Sequence, residues 1–194
     1  MAEQTVFSIE KLKSQIGNFA KGNRYNVTII PPSFLSTSNI PNTLRLVCEA
    51  VSLPAKSLAS TPHDIYGPPR EMPYRETFTE SALSFYLDDE FTVKYFFDTW
   101  QANIVSPTTN NVNYWDNYTS SITIDRLSNE ATDMLNSNST YKIELLEAYP
   151  FAVGEVQLGH AMGSDILKLS VTFKYKRWNL LNNVVTTSGT PFGG

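Results

Sequence analysis

A chain of 194 residues has room for one domain with a sizeable core and terminal extensions. Its 41% hydrophobic and 18% charged residues describe a globular, rather polar protein, and its net charge of -4 argues against a general nucleic-acid binder, which needs a basic face. Cys48 is the only cysteine, so no intramolecular disulfide forms, and no apolar run approaches the ~18 residues of a membrane span.

Taken in order, the N-terminus MAEQTVFSIEKLK lacks a charged-then-apolar leader pattern. The expectation is a soluble chain made in the cytoplasm that leaves only with a larger assembly. Phe7, Leu12, Ile16 and Phe19 lie close to one helical stripe, so residues 1–22 read as a short helical extension weakened by Gly17 and Gly22. Tyr25, Val27 and Ile29 alternate as a first strand that Pro31 and Pro32 close. A polar loop to Asn42 follows. Leu44, Leu46, Cys48 and Ala50 then predict a strand over Leu44 to Leu53, with Val47 and Val51 on its other face. Cys48 in that run reads as core rather than as a reactive thiol.

The stretch from Ala55 to Tyr74 holds Pro62, Pro68, Pro69, Pro73 and Gly67 and no hydrophobic period of its own. Stretches of this length are functional or disordered, and the prolines stiffen this one into an extended arm. Composition leaves two readings of the arm open, a long surface loop and a subunit contact.

The centre of the chain is Thr77 to Ile104. Leu83, Phe85 and Leu87 alternate with Ser84 and Tyr86 as a half-buried strand. Asp88 or Asp89 is placed to cap a following helix, with Glu90 adding negative charge to its first turn. Val93, Phe96, Phe97, Trp100 and Ile104 then form a 3.6-period stripe that Phe91 and Tyr95 widen. Phe96, Phe97 and Trp100 are the expected helix-packing residues, since so aromatic a stripe needs a sheet beneath it.

A polar loop over residues 106–121 carries Tyr114, Trp115 and Tyr118, which should pack on the helix or on a partner. Ile122 and Ile124 mark a third alternating strand, with Thr123 and Asp125 opposite. After a polar excursion from Leu127 to Thr140, Tyr141, Ile143 and Leu145 alternate in a strand that Pro150 breaks. Val153 to Leu158 can add another. Leu167, Leu169, Val171, Phe173 and Tyr175 point inward from the last strand, which Trp178 closes. The domain so defined covers 23–179, and 180–194 reads as a flexible tail. Six or seven strands and one dominant helix predict a mainly β fold: an antiparallel β-sandwich or barrel with one packed α-helix.

Catalytic chemistry finds no home in this pattern. His63 and Asp64 are chain neighbours in the arm, and His160 stands apart. G-x-S-x-G, G-x-G-x-x-G and P-loop motifs are absent, and one Cys with two distant His gives no zinc spacing. The acidic pairs Asp88–Asp89 and Glu144–Glu147 have structural explanations as helix cap and strand-surface charge. The expectation is no enzyme, no cofactor and no metal. Asn-x-Ser/Thr triplets at Asn26, Asn117 and Asn138 fit chance in a chain so rich in these residues.

Five segments in order carry a likeness: LVCEAVSLPAKSL (Leu46 to Leu58), YGPPREMPYRETF (Tyr66 to Phe78), LSFYLDDEFTVKYFFDTWQ (Leu83 to Gln101), YPFAVGEVQLG (Tyr149 to Gly159) and LSVTFKYKRW (Leu169 to Trp178). Together they resemble the tail tube proteins of contractile-tailed, T-even-like bacteriophages, over roughly Asn23 to Asn179. The resemblance implies hexameric rings stacked into a tube whose wall is a continuous β-barrel. Phage DNA passes through its lumen without specific binding, and sheath contraction drives the tube into the host.

The implied partners are further copies of the chain, the sheath protein, a baseplate initiator and a tail terminator, with no membrane anchor. The implied location is the virion, after assembly in the host cytoplasm. Thr61, His63, Tyr66, Pro68, Arg70 and Tyr74 become the inter-ring arm. The 127–140 excursion and the tail after Asn179 look like additions that face the sheath or mark a specialised paralogue. Acidic balance suits a pipe that must not bind its cargo. Three other readings remain: a tube-initiating baseplate paralogue, the tube of a contractile injection system, and a monomeric carbohydrate-binding sandwich using Tyr114, Trp115 and Tyr118.

Overall fold

The computed structural model describes residues 9, 19–35, 40–64, 67–129, 139–160, 163 and 165–181. Most of the helix expected between Phe7 and Phe19 therefore lies outside the described residues, as does most of the tail. Strand β1 (Tyr25–Ile30) buries Val27 and Ile29. A short 3-10 turn (Ser33–Leu35) follows, then helix α1 (Ile40–Val47) and strand β2 (Cys48–Val51). Next come β3 (Lys56–His63), β4 (Arg70–Phe78), β5 (Ser81–Tyr86), α2 (Thr92–Ile104) and a single helical turn, α3 (Trp115–Tyr118). Four further strands complete the fold: β6 (Ser120–Leu127), β7 (Ser139–Val153), β8 (Lys168–Lys174) and β9 (Arg177–Leu180).

All pairings are antiparallel, in the order β1-β6-β7-β8-β5-β2, with β9 also on β7 and β3-β4 as a separate hairpin. The sheet folds at β7, whose first part pairs with β6 and β9 and whose last part pairs with β8. Two register shifts make that turn: one lies between Leu145 and Ala148, where Glu147 takes a left-handed φ of 54°, and the other between Pro150 and Ala152. Bulges of this kind bend a strand and raise its twist. The folded sheet nearly closes, because the Tyr25 hydroxyl on edge strand β1 donates to the Cys48 and Glu49 carbonyls of edge strand β2.

Helix α2 supplies the aromatic part of the core. Phe96, Phe97 and Trp100 are buried with Phe85 and Phe173, and their ring centroids lie 5.2 to 6.5 Å apart. Trp100 Nε1 donates to the Tyr118 carbonyl at 2.8 Å, so its one polar atom is satisfied. Aromatic pairs in this range contribute about 0.5–1.5 kcal/mol each beyond their burial.

Several expectations are corrected. Residues 44–47 are helical, not strand: Ile40, Leu44 and Val47 meet the core at i, i+4, i+7 while Leu46 is 79% exposed. A short apolar run fits both periods, and Pro41 sits in the first turn, where a missing N–H costs nothing. Pro150 does not end β7, because it lies next to a bulge where the ladder already has gaps. Residues 154–159 form no strand.

Helix α2 starts later than expected, with Phe91 in the cap position at φ 53° and Glu90 before its first turn, and the expected aspartate reaches it from further back: Asp88 accepts from the Thr92 and Val93 backbone N–H groups. The Thr92 hydroxyl beside Asp88 also holds that carboxyl below its ordinary range. Tyr95 points to solvent instead of widening the stripe. Asp125 is buried rather than facing water. Trp178 belongs to an extra strand, β9, which carries the fold through Asn179 and Leu180. The described residues hold nine strands rather than six or seven.

Candidate assembly surfaces

The Ala55-to-Tyr74 stretch is not a proline-stiffened single arm but a β-hairpin. Strands β3 and β4 pair only with each other, and nearly every residue in them is exposed. Its prolines are tolerated because a two-stranded hairpin has two free edges. At the root, the Ala55 N–H donates to Thr79 Oγ1 at 2.9 Å and the Thr79 N–H to the Ala55 carbonyl at 3.1 Å. Phe78 packs its ring 6.2 Å from that of Tyr175, and Lys56 pairs with Glu76 at 2.5 Å. Ser60 Oγ donates to Glu71 at 2.7 Å further out.

Of the arm residues named from sequence, His63 stands opposite Arg70 and Thr61 opposite Met72, so these four meet near the tip. Tyr74 occupies the register shift opposite Ala59 and Ser60 and is 66% exposed. Pro68 is in the turn, and Tyr66 lies outside the described residues. Leu58 and Met72, 59% and 51% exposed, were missed. Met72, Tyr74, Glu76 and Phe78 do fall at strand spacing, but the prolines around them hid that signal. A lone hairpin showing three large apolar side chains to water has little independent stability.

The aromatic loop behaves differently. Tyr118 is buried, Tyr114 is exposed, and Trp115, Tyr118 and Tyr149 stack edge to face with centroids 5.6 to 5.7 Å apart. Lys176 Nζ at 2.6 Å and Trp115 Nε1 at 2.7 Å both reach Glu147, and they hold its carboxyl below the ordinary range. The Glu147 bulge is thus pinned by charge and by indole. A cleft of about 260 Å³ beside it, lined by Phe78, Glu80, Trp115, Tyr149, Lys174 and Tyr175, joins this cluster to the hairpin root.

His63 and His160 are exposed on separate elements. Among the described residues no group of His, Cys, Asp and Glu is placed to hold a metal ion, and no helix is long and apolar enough to cross a membrane. Cys48 is half-buried beside the core, and burial pushes its thiol up to about 12.

The model of the phage tail tube protein family matches residues 20–181 of the chain. A search of curated proteins found no match. Among solved structures, a chain of the anti-feeding prophage baseplate, six-fold symmetrised, is similar at TM-score 0.60 and 12% identity, covering 85% of this chain and 97% of that one. A chain of the PVC sheath–tube complex of an extracellular contractile injection system, in the extended state, gives 0.56 and 16%, covering 89% and 97%. One from the PVC sheath/tube terminator gives 0.58 and 16%, covering 86% and 99%. At these identities the likeness is one of fold.

Proposed function

Because the chain belongs to the phage tail tube protein family, we propose that its copies form six-membered rings that stack into a hollow tube, through which viral DNA enters the host when a sheath contracts. Family membership over residues 20–181 carries this reading. The exposed hairpin supports it, since it leaves Leu58, Met72 and Tyr74 to be covered by something outside the protomer. The six-fold symmetry named for one structure of like fold, and the sheath and terminator named for others, agree with this set of partners. The role is structural rather than catalytic, in the virion, after assembly in the host cytoplasm.

In this reading Thr61, His63, Tyr66, Pro68, Arg70 and Tyr74 form the ring-to-ring contact, together with Leu58 and Met72. The tube domain spans 23–179, with β9 extending it to Leu180, and the flanking segments are additions to it. A ring-forming baseplate protein that starts the tube is the second reading, favoured by the fold likeness to the anti-feeding prophage baseplate.

Expression of the full chain, followed by negative-stain electron microscopy and light scattering, tests the proposal. Hollow tubes of many lengths are the expected result. Single rings that never stack would favour the baseplate reading, and a monomer at all concentrations would refute both.

A further inference from the structure

The face of β2, β5, β8 and the end of β7 that turns away from the core has an unusual composition. Register sets its rows: Ala152, Thr172 and Ala82 lie side by side across β7, β8 and β5, and Ser170, Ser84 and Ala50 lie side by side across β8, β5 and β2. The centre of the face therefore carries no side chain larger than threonine, while Leu83, Phe85, Leu169, Val171 and Phe173 of the same strands fill the core behind it. Small hydroxyl and methyl groups offer little to hook or hydrogen-bond a passing polymer.

Cations occur only at the two ends of these rows, and both are matched. Lys168, opposite Tyr86, pairs with Glu49 of β2. Lys174, opposite Tyr149, lies 3.4 Å from Glu80, and its ammonium sits 3.5 Å from the centroid of the Phe151 ring. No arginine of these strands lies on the face among the described residues. Each lysine left unpaired would attract a phosphate and release a counterion, and copies repeated along a tube would multiply that attraction.

We propose that this face is the lumen wall and that Glu49 and Glu80 mask its two lysines so that a phosphate-backbone duplex slides past without binding. This assignment rests on the tube reading above. Net acidity alone does not achieve it, because a few exposed cations on the inner wall act locally within a Debye length of the cargo, about 8–10 Å at physiological salt.

The test uses tubes assembled from the full chain with short fluorescent DNA duplexes, sedimented at several salt concentrations. Wild-type tubes should carry down no more DNA than a protein-free control. Tubes of the Glu49→Gln/Glu80→Gln variant should retain on the order of tenfold more, falling steeply with added salt. Glu76→Gln frees Lys56 on the hairpin instead and should leave retention unchanged. Equal retention by that control, or none by the double variant, would overturn the proposal.

A second measurement is independent of the charge variants. Ser170→Cys in assembled tubes should react with a small maleimide and resist a polymer-linked maleimide wider than the bore. Cys48 is replaced by serine in the same chain, so that its half-buried thiol adds no label. Reaction with both reagents would place Ser170 outside, reaction with neither would place it in a subunit contact, and either result overturns the wall assignment. If the wild-type chain formed no tubes at all, the tube reading and this inference would fall together, whereas tubes with the wrong labelling pattern would remove only the inference.

Discussion

Replacing Leu58, Met72 and Tyr74 with threonine separates stacking from folding. Each side chain keeps 51% to 66% of its surface in water in the isolated protomer. Fully burying a side chain of this size contributes about 1.5–3 kcal/mol. The exposed half of each is therefore worth roughly 1 kcal/mol to a partner that covers it, and about 3–4 kcal/mol for all three. At 1.4 kcal/mol per factor of ten, the protein concentration at which tubes appear should rise by about a hundred- to a thousandfold. Threonine suits a strand, and the hairpin lies outside the core, so the protomer should lose no more than about 1 kcal/mol. Light scattering against concentration reads the first quantity, and urea denaturation reads the second. Tubes forming at the wild-type concentration would refute the argument that the hairpin is the stacking contact. A collapse of protomer stability would refute the claim that it stands apart from the fold.

Three further outcomes follow from the core and its charges. Trp100→Phe removes the donor 2.8 Å from the Tyr118 carbonyl and leaves a gap, so it should lower stability by about 2–3 kcal/mol with an unchanged urea slope; a loss under about 0.5 kcal/mol would contradict this packing. Gly154→Ala places a Cβ 2.8 Å from the Ser170 carbonyl oxygen, which the Gly154 N–H already binds at 2.7 Å, so the end of β7 must shift at a cost of about 1–3 kcal/mol. An unchanged melting temperature would exclude that close approach.

Asp125 supplies a pH signature. Burial raises its carboxyl above the ordinary 3.8, and Lys142 at 3.6 Å only partly offsets this. The folded state therefore holds the proton more strongly than the unfolded chain, and the site's contribution to stability falls as pH rises from about 3.8 through the folded value. Asp125→Asn should remove that fall, as denaturation at a series of pH values would show. A wild-type advantage that grows with pH across this window would contradict the assignment.

Several elements could be read directly from the sequence because one face of each is buried and the other is wet. Val27 and Ile29, Ile122 and Ile124, Ile143 and Leu145, and Leu169, Val171 and Phe173 all alternate in sequence and all are buried. The α2 stripe was legible for the same reason at the helical period, down to Phe96, Phe97 and Trp100. Segments that meet the core briefly were not. Residues 44–47 fit strand and helix alike until Leu46 is seen in water, and β9 is only four residues long. The hairpin showed itself only as a stretch with no core period, since neither of its faces is buried within the protomer.

The sequence by itself determined that this is a mainly antiparallel β protein with one aromatic helix and an arm with no core of its own. Tertiary structure alone decided that β7 runs through Pro150, that Tyr25 ties β1 to β2, and that Lys168 and Lys174 each meet a glutamate. Burial leaves a period in the chain because it acts on every second or every third to fourth residue. Pairing between strands such as β1 and β6, about 90 to 100 residues apart, leaves none, because register and bulges are set only when the strands meet.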